Sequence, residues 1–130
     1  LSLLVVDLRS LKHVNDTCGH EAGDRALQHA AEVFRDRLRG SDLPFRIGGD
    51  EFALLLPDTD TQGAVTVARA ITDLLAGTRL ECAPDARLEA TVGVATFPYH
   101  GRDPDALVAA ADAALYRARE KGLPVAAAAE

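Results

Sequence analysis

Residues 43–56 read LPFRIGGDEFALLL, with apolar stretches on either side of a Gly-Gly-Asp-Glu centre. This pattern predicts a β-hairpin with strands over residues 43–47 and 52–56. Glycine and aspartate are common in tight turns for structural reasons alone. Two neighbouring carboxylates repel each other, however, unless a cation neutralises them. Asp50 and Glu51 are therefore either ordinary turn residues or part of a cation site at the tip of the hairpin.

The chain before the hairpin predicts one buried strand and one helix. Residues 3–6 are a continuous apolar run that ends at Asp7, which is typical of a central strand buried on both faces. Polar residues common in turns follow, among them Asn15. From Asp24 the apolar residues recur at helical spacing, and the helix is expected to end near Gly40 because glycine is favoured after a helix C-terminus.

The chain after the hairpin predicts two helices and two strands. The first helix is expected to end at Gly77, and residues 88–97 then alternate in the manner of a half-buried strand. Asp103 followed by proline predicts the start of the second helix, because aspartate caps and proline fits the first helical position. That helix is expected to end at Gly122, with a final edge strand over residues 124–127.

The resulting order, β-α-β-β-α-β-α-β, indicates an α+β fold in which helices pack around a central, mainly antiparallel sheet. A length of 130 residues suits one domain. The chain opens without Met and inside a strand pattern. We therefore expect residues 1–130 to be an N-terminally truncated fragment of a larger protein.

Charge and composition exclude several classes of function. The chain carries 14 Lys and Arg against 20 Asp and Glu, a net charge of −6, which argues against a nucleic-acid binder. An anionic ligand held by a metal and a few local cations remains compatible. No apolar run approaches the roughly 18 residues of a membrane span, so no membrane insertion is expected. The two cysteines, Cys18 and Cys82, are expected to be free thiols in a cytoplasmic protein.

Several longer motifs accompany the hairpin. In order along the chain they are DLRSLKHVNDTCGHEAGD (residues 7–24), RIGGDEF (46–52), TVGVA (91–95) and ALYRA (114–118). Together, at this spacing, they are similar to the landmarks of the GGDEF family of diguanylate cyclase domains. The resemblance extends over nearly the whole chain.

The resemblance implies a ferredoxin-like, nucleotidyl-cyclase palm-like βαββαβ core that condenses two GTP into cyclic di-GMP and pyrophosphate as a two-fold homodimer. The implied cofactor is Mg²⁺ or Mn²⁺, which binds hard oxygen ligands. By resemblance those ligands are Asp7, Asp50 and the backbone carbonyl of Leu8. Asp50 and Glu51 are the implied catalytic residues, and the role of Glu51 as base or second metal ligand stays open. Without the resemblance, Asp7 is an ordinary residue at a strand end.

Other matching positions imply a GTP site. From the phosphates to the base they are Lys12, Arg119, Gly48, Gly49, Asn15 and Asp24. Arg119 replaces the family's lysine, and an arginine can still bind phosphate. A carboxylate such as that of Asp24 can accept both donors of the guanine edge, whereas adenine offers no such pair. Taken alone, Lys12 would be a surface lysine, and Asn15 and Asp24 would be turn and N-cap residues.

Arg39 and Asp42 match the RxxD site at which cyclic di-GMP inhibits members of the family. The alternative is a local ion pair worth less than about 1 kcal/mol. The family often adds an arginine from the next helix, but that position is Ala70 here, with Arg69 beside it. Completion of the site by a second subunit is therefore expected.

Departures from the family pattern keep other functions open. Arg9 and Ser10 stand where an acid and an aromatic residue are usual, and Leu123 replaces an arginine. One alternative is therefore a weak or inactive domain that binds GTP or cyclic di-GMP as a sensor. A related nucleotidyl cyclase or polymerase palm would share the carboxylates but lack the hairpin motif. We expect an active domain, attached to a sensor domain in a parent protein that is cytoplasmic or membrane-anchored.

Overall fold

The computed structural model describes residues 1–80 and 83–129, which contain seven strands and four helices. In chain order these are β1 (Ser2–Leu8), α1 (Leu11–Cys18), α2 (His20–Arg37), β2 (Leu43–Arg46), β3 (Glu51–Leu56), α3 (Thr61–Ala76), β4 (Arg79–Leu80), β5 (Ala83–Arg87), β6 (Ala90–Thr96), α4 (Pro104–Lys121) and β7 (Val125–Ala127).

Five strands form the central sheet in the order β2-β3-β1-β6-β7. All neighbouring pairs are antiparallel except β6 and β7, which run parallel. β4 and β5 form a separate antiparallel pair. The predicted α+β fold with a mainly antiparallel central sheet is confirmed.

The central strands β1 and β6 are buried on both faces, which explains the continuous apolar run of β1, whereas the edge strand β2 is exposed. One face packs against α1, α2 and α3 through residues such as Leu4 and Val6. The other face packs against α4 through Leu3 and Val5. At Gly93 the helix comes so close that a Cβ atom would overlap the backbone of Ala111, so only glycine permits this packing. Because Asp7 alternates with Leu3 and Val5 along β1, its side chain lies on the α4 face.

Most predicted elements exist, but some boundaries and two features differ. α1 was predicted as turns; its apolar residues Leu11 and Val14 are buried and pack it onto α2. α2 begins at His20 rather than Asp24, because it follows α1 directly. The β4–β5 pair was not predicted, since these strands are short and carry little apolar alternation.

The predicted start of the last helix is confirmed. The Asp103 side chain accepts a hydrogen bond from the backbone N–H of Ala106 at 2.8 Å, and Pro104 occupies the first helical position. The final strand is also confirmed, and it lies at the sheet edge. The prediction of free thiols is wrong for Cys18, which is disulfide-bonded, and Cys82 lies outside the described residues. In the described part of the chain, none of the helices has the length and apolar character to cross a membrane.

Candidate functional site

The end of β1 and the tip of the β2–β3 hairpin lie side by side. Asp7 is opposite Glu51 of β3 and Thr91 of β6 in the register of the sheet. The backbone N–H of Leu8 donates a hydrogen bond to the carbonyl of Asp50 at 2.8 Å. The antiparallel pairing therefore brings Asp7, Asp50 and Glu51 to one edge of the sheet.

Arg46 fixes the glycine turn between the two strands. Its Nε donates to the carbonyl of Gly48 at 3.0 Å, and its Nη2 donates to the carbonyl of Gly49 at 2.9 Å. Because glycines leave a turn conformationally free, these two bonds hold the backbone beside Asp50 in place. Sequence reasoning missed this role, although Arg46 stands directly before the Ile-Gly-Gly part of the motif.

Asp7 is only 2% exposed, and its carboxylate forms an ion pair with Arg119 of α4. A buried carboxylate is costly unless a cation or several donors compensate its charge. In this structure the guanidinium of Arg119 supplies that cation. The structure thus joins two residues for which the sequence predicted separate roles, metal binding and phosphate binding.

A cavity of about 400 Å³ opens between α1, α2 and the hairpin. This volume lies within the range of small-molecule sites. Its lining includes Lys12, Asn15, Asp24, Arg46, Gly49 and Asp50. Leu11 and Leu27 contribute apolar side chains to the same lining. Five of the residues predicted for GTP or metal binding therefore line the same cavity.

The other predicted residues of the site lie around this cavity rather than in its lining. These are Asp7, Leu8, Gly48, Glu51 and Arg119. Asp7 is joined to the cavity region by the Leu8–Asp50 hydrogen bond and by its pairing with Glu51. This cavity and the buried carboxylate of Asp7 are therefore close neighbours in the structure.

The close packing of α1 and α2 positions the predicted base-binding residues. A Cβ atom at Gly23 would overlap Oδ1 of Asn15, so a larger residue at position 23 would displace the Asn15 side chain. Asp24 lies within α2, whose N-cap position is Gly19. Asn15 likewise lies within α1. The alternatives of an N-cap role for Asp24 and a turn role for Asn15 are therefore wrong.

The charges of the cavity favour binding of a cation together with an anion. The lining contains three aspartates, Asp16, Asp24 and Asp50, and two basic side chains, Lys12 and Arg46. A triphosphate would be repelled by this lining unless further positive charge accompanied it. Among the described residues no group of three or more His, Cys, Asp or Glu side chains is arranged to hold a metal ion. Mg²⁺ that is bound together with phosphate commonly takes only one or two protein carboxylates.

Arg39 and Asp42 lie elsewhere, at the C-terminal side of α2. The carboxylate of Asp42 accepts from the backbone N–H of Arg39 at 2.8 Å and from its Nη2 at 3.4 Å. Nη2 also donates to the Pro57 carbonyl at 2.7 Å and to the Thr59 hydroxyl at 2.9 Å. This guanidinium is therefore held in one orientation against a separate cavity of about 500 Å³.

Arg9, Ser10 and Leu123, which depart from the family pattern, lie outside the cavity lined by Asp24 and Asp50. The Ser10 hydroxyl accepts a hydrogen bond from the backbone N–H of Glu89 at 3.0 Å, so it has a structural role before α1. Arg9 and Leu123 line a different cavity of about 320 Å³. None of the three lines the cavity that contains Asp24 and Asp50.

Comparison with known proteins gives a family match over most of the chain. Residues 1–123 match the model described as diguanylate cyclase, GGDEF domain. The chain is 37% identical over 124 residues to diguanylate cyclase DosC of Escherichia coli K12, covering 94% of this chain. That match covers only 27% of DosC, so the chain spans about a quarter of this relative's length.

Solved structures share the fold. The active GGEEF domain of a diguanylate cyclase from Vibrio cholerae superposes with a TM-score of 0.91 at 25% identity, covering 99% of this chain and 83% of the other. The GGDEF domain of DgcB from Caulobacter crescentus, solved in complex with c-di-GMP, gives 0.87 at 27% identity, covering 97% and 76%.

Proposed function

Because this chain belongs to the GGDEF family of diguanylate cyclase domains, we propose that it condenses two GTP into cyclic di-GMP and two pyrophosphates. In each half-reaction a 3′-hydroxyl oxygen bonds to the α-phosphorus of the other GTP. The bond from that phosphorus to the β-phosphate oxygen breaks, and the hydroxyl proton passes to a base. The observation that supports this proposal most is the cavity that Lys12, Asn15, Asp24 and Asp50 line together.

Two copies of the chain are needed, because each chain offers one such cavity in its described part and the reaction joins two GTP. A two-fold homodimer places each 3′-hydroxyl against the opposite α-phosphate. Incubation with GTP and Mg²⁺, followed by chromatography of cyclic di-GMP, tests this proposal. The rate per chain is expected to rise with protein concentration until the dimer is saturated. A rate per chain that is independent of concentration down to high dilution would argue against a transient dimer.

The donor set fits Mg²⁺ or Mn²⁺. Asp7 and Asp50 offer hard carboxylate oxygens at one sheet edge, with the Leu8 carbonyl as the third proposed ligand. The buried Asp7 carboxylate already has a cation beside it, the guanidinium of Arg119. The chemistry that a divalent ion supplies is neutralisation of the α-phosphate and a lowered pKa of the attacking hydroxyl. Glu51 is either the base that accepts the hydroxyl proton or a further metal ligand.

The remaining residues bind and orient GTP. Lys12 and Arg119 contact phosphate oxygens, and Gly48 and Gly49 let the backbone approach the nucleotide. Asp24 accepts the guanine N1–H and N2–H₂ donors, and Asn15 binds the same edge. Phosphoryl transfer depends mostly on positioning and charge neutralisation, so these contacts account for much of the expected catalysis.

Replacing Arg119 by alanine is expected to destabilise the metal-free protein by about 1–2 kcal/mol. The substitution leaves the Asp7 carboxylate buried without its cation, while the 40% exposure of the Arg119 side chain limits the loss. Mn²⁺ or Mg²⁺ is expected to restore stability more in Arg119→Ala than in the parent, because the ion replaces the missing positive charge. Thermal denaturation with and without metal measures both effects.

Lys121→Ala is the matched control for this experiment. Lys121 is an exposed cation in the last turn of the same helix. Its removal is expected to change neither the stability nor the response to metal. If Arg119→Ala also behaves like the parent in both respects, the ion pair with Asp7 has no energetic weight.

We also propose that Arg39 and Asp42 bind cyclic di-GMP and thereby inhibit the reaction. The three hydrogen bonds of the Arg39 Nη2 hold the guanidinium at the wall of a cavity outside the GTP site. Strand β2 follows Asp42 directly and leads to the Asp50 hairpin. This short connection offers a route for inhibition, as does locking of two domains in an unproductive arrangement.

Arg39→Ala is expected to abolish cyclic di-GMP binding at this site and to relieve product inhibition. GTP binding should remain, because Arg39 lines a different cavity from Asp24 and Asp50. Calorimetric titration of cyclic di-GMP into both proteins measures the difference. If Arg39→Ala binds cyclic di-GMP as tightly as the parent, Arg39 and Asp42 form a surface ion pair and nothing more.

A second candidate function is a sensor that binds GTP or cyclic di-GMP without turnover. The observation that favours it is the ion pair between Asp7 and Arg119, which occupies a carboxylate proposed for the metal. Such a domain would bind GTP without releasing pyrophosphate. In either case we propose a cytoplasmic domain, since GTP is cytoplasmic, attached to a sensor domain of the parent protein.

A further inference from the structure

We propose that Arg37 supplies the second guanidinium of the cyclic di-GMP site, from within the same chain. This inference rests on the proposed product site of Arg39 and Asp42. It concerns how that site is completed, because the family's arginine position in α3 is Ala70 here. Arg37 is the last residue of α2 and lines the same 500 Å³ cavity as Arg39.

The part of helix α3 that lines this cavity does not provide the missing cation. The residues of α3 that line the cavity are Gly63 and Val67, neither of which is charged. Arg69, the neighbour of Ala70, does not contribute to this lining. Within the described part of the chain, Arg37 is therefore the cation that stands beside Arg39 at this cavity.

Arg39 alone leaves the cavity too acidic for a ligand with two phosphates. The lining contains three aspartates, Asp42, Asp58 and Asp60, against the two arginines. Asp42 is largely engaged, since its side chain is 4% exposed and both oxygens accept bonds from Arg39. Asp58 and Asp60 are exposed and would repel phosphate groups. A second guanidinium reduces this repulsion.

The two guanidinium groups are suited to different tasks. Arg39 is anchored through Nη2, and none of the hydrogen bonds found for it in the described residues uses Nε or Nη1. It therefore presents donors in a fixed direction. Arg37 is exposed, and no hydrogen bond or ion pair is found for it among the described residues. Its fork can turn to a phosphate or to the O6 and N7 acceptors of guanine.

The test is calorimetric titration of cyclic di-GMP into the parent, Arg37→Ala and Arg37→Lys, at two salt concentrations. Arg37→Ala is expected to weaken binding about tenfold and to reduce its salt dependence. Arg37→Lys should recover part of the affinity, since it restores the charge without the planar fork. Because Arg37 is exposed, all variants should show the parent's thermal denaturation.

Arg35→Ala is the matched control, because Arg35 is exposed, two residues earlier in α2, and outside the cavity lining. It removes the same charge from the same helix end and is expected to leave the affinity unchanged. Equal weakening in Arg35→Ala and Arg37→Ala would mean that only overall charge matters, which would overturn the proposal.

The outcomes separate this inference from the product site on which it rests. If Arg39→Ala loses binding and Arg37→Ala does not, Arg37 has no part in the site, although the site itself stands. If neither substitution changes the affinity, or if the parent does not bind cyclic di-GMP, both assignments are wrong. Turnover of GTP is measured separately, so none of these results decides the proposed reaction.

Discussion

Asp50→Ala is expected to lower cyclic di-GMP synthesis about a thousandfold or more, to background, while the domain stays folded. The Asp50 side chain is exposed at the hairpin tip and contributes little to packing. Its backbone carbonyl, which accepts from Leu8, is retained in the variant. The substitution therefore removes a proposed metal ligand without removing the bond that joins the hairpin to β1.

Two comparisons make this prediction specific. Asp50→Asn keeps the size of the side chain but removes its charge, and it is expected to be as inactive as Asp50→Ala. Asp112→Ala removes an exposed aspartate from α4, outside the site, and is expected to keep the parent rate. Cyclic di-GMP is measured by chromatography, and folding by circular dichroism. Synthesis at the parent rate by folded Asp50→Ala would show that Asp50 is not a metal ligand.

Asp24→Ala is expected to weaken GTP binding about a hundredfold and to leave ATP binding nearly unchanged. The unaltered chain should discriminate strongly, because adenine offers no pair of adjacent donors to the Asp24 carboxylate. Asp24 is an exposed residue within α2 that lines the same cavity as Lys12 and Asn15, so its removal should not disturb the fold. Competition of GTP and ATP for a fluorescent GTP analogue measures both affinities.

Glu21→Ala serves as the control for Asp24→Ala. Glu21 is an exposed carboxylate in the first turn of the same helix and does not line the cavity. This variant should bind GTP as the parent does. Equal use of ATP and GTP by the unaltered chain would contradict the assignment of guanine recognition to Asp24.

The strands of the central sheet and the two later helices could be predicted because their signals are local. The apolar run of β1, the turn residues of the hairpin and the aspartate cap of α4 act over a few residues. α1 carries such a signal as well, since Leu11, Val14 and Cys18 are spaced three and four residues apart. The polar residues between them favoured the prediction of a turn, but packing against α2 stabilises this segment as a helix.

The composition of the candidate site was predictable, but its contacts were not. The family resemblance predicted roles for Asp7 and Arg119, yet their ion pair depends on how α4 crosses the sheet. Likewise, Arg46 binds the glycine turn only because the hairpin folds back on itself. Arg37 lines the same cavity as Arg39 because α2 ends beside it. Such contacts join residues through tertiary packing, which a local pattern does not encode.

The most direct test of the proposed reaction measures GTP binding and product formation in the same sample of unaltered protein with Mg²⁺. We expect bound GTP to be converted into cyclic di-GMP, with two pyrophosphates released for each product molecule. Neither product should appear when EDTA removes the metal or when ATP replaces GTP. Stable binding of GTP with no release of pyrophosphate, at concentrations where the chain is dimeric, would contradict the cyclase proposal and favour a nucleotide-binding sensor.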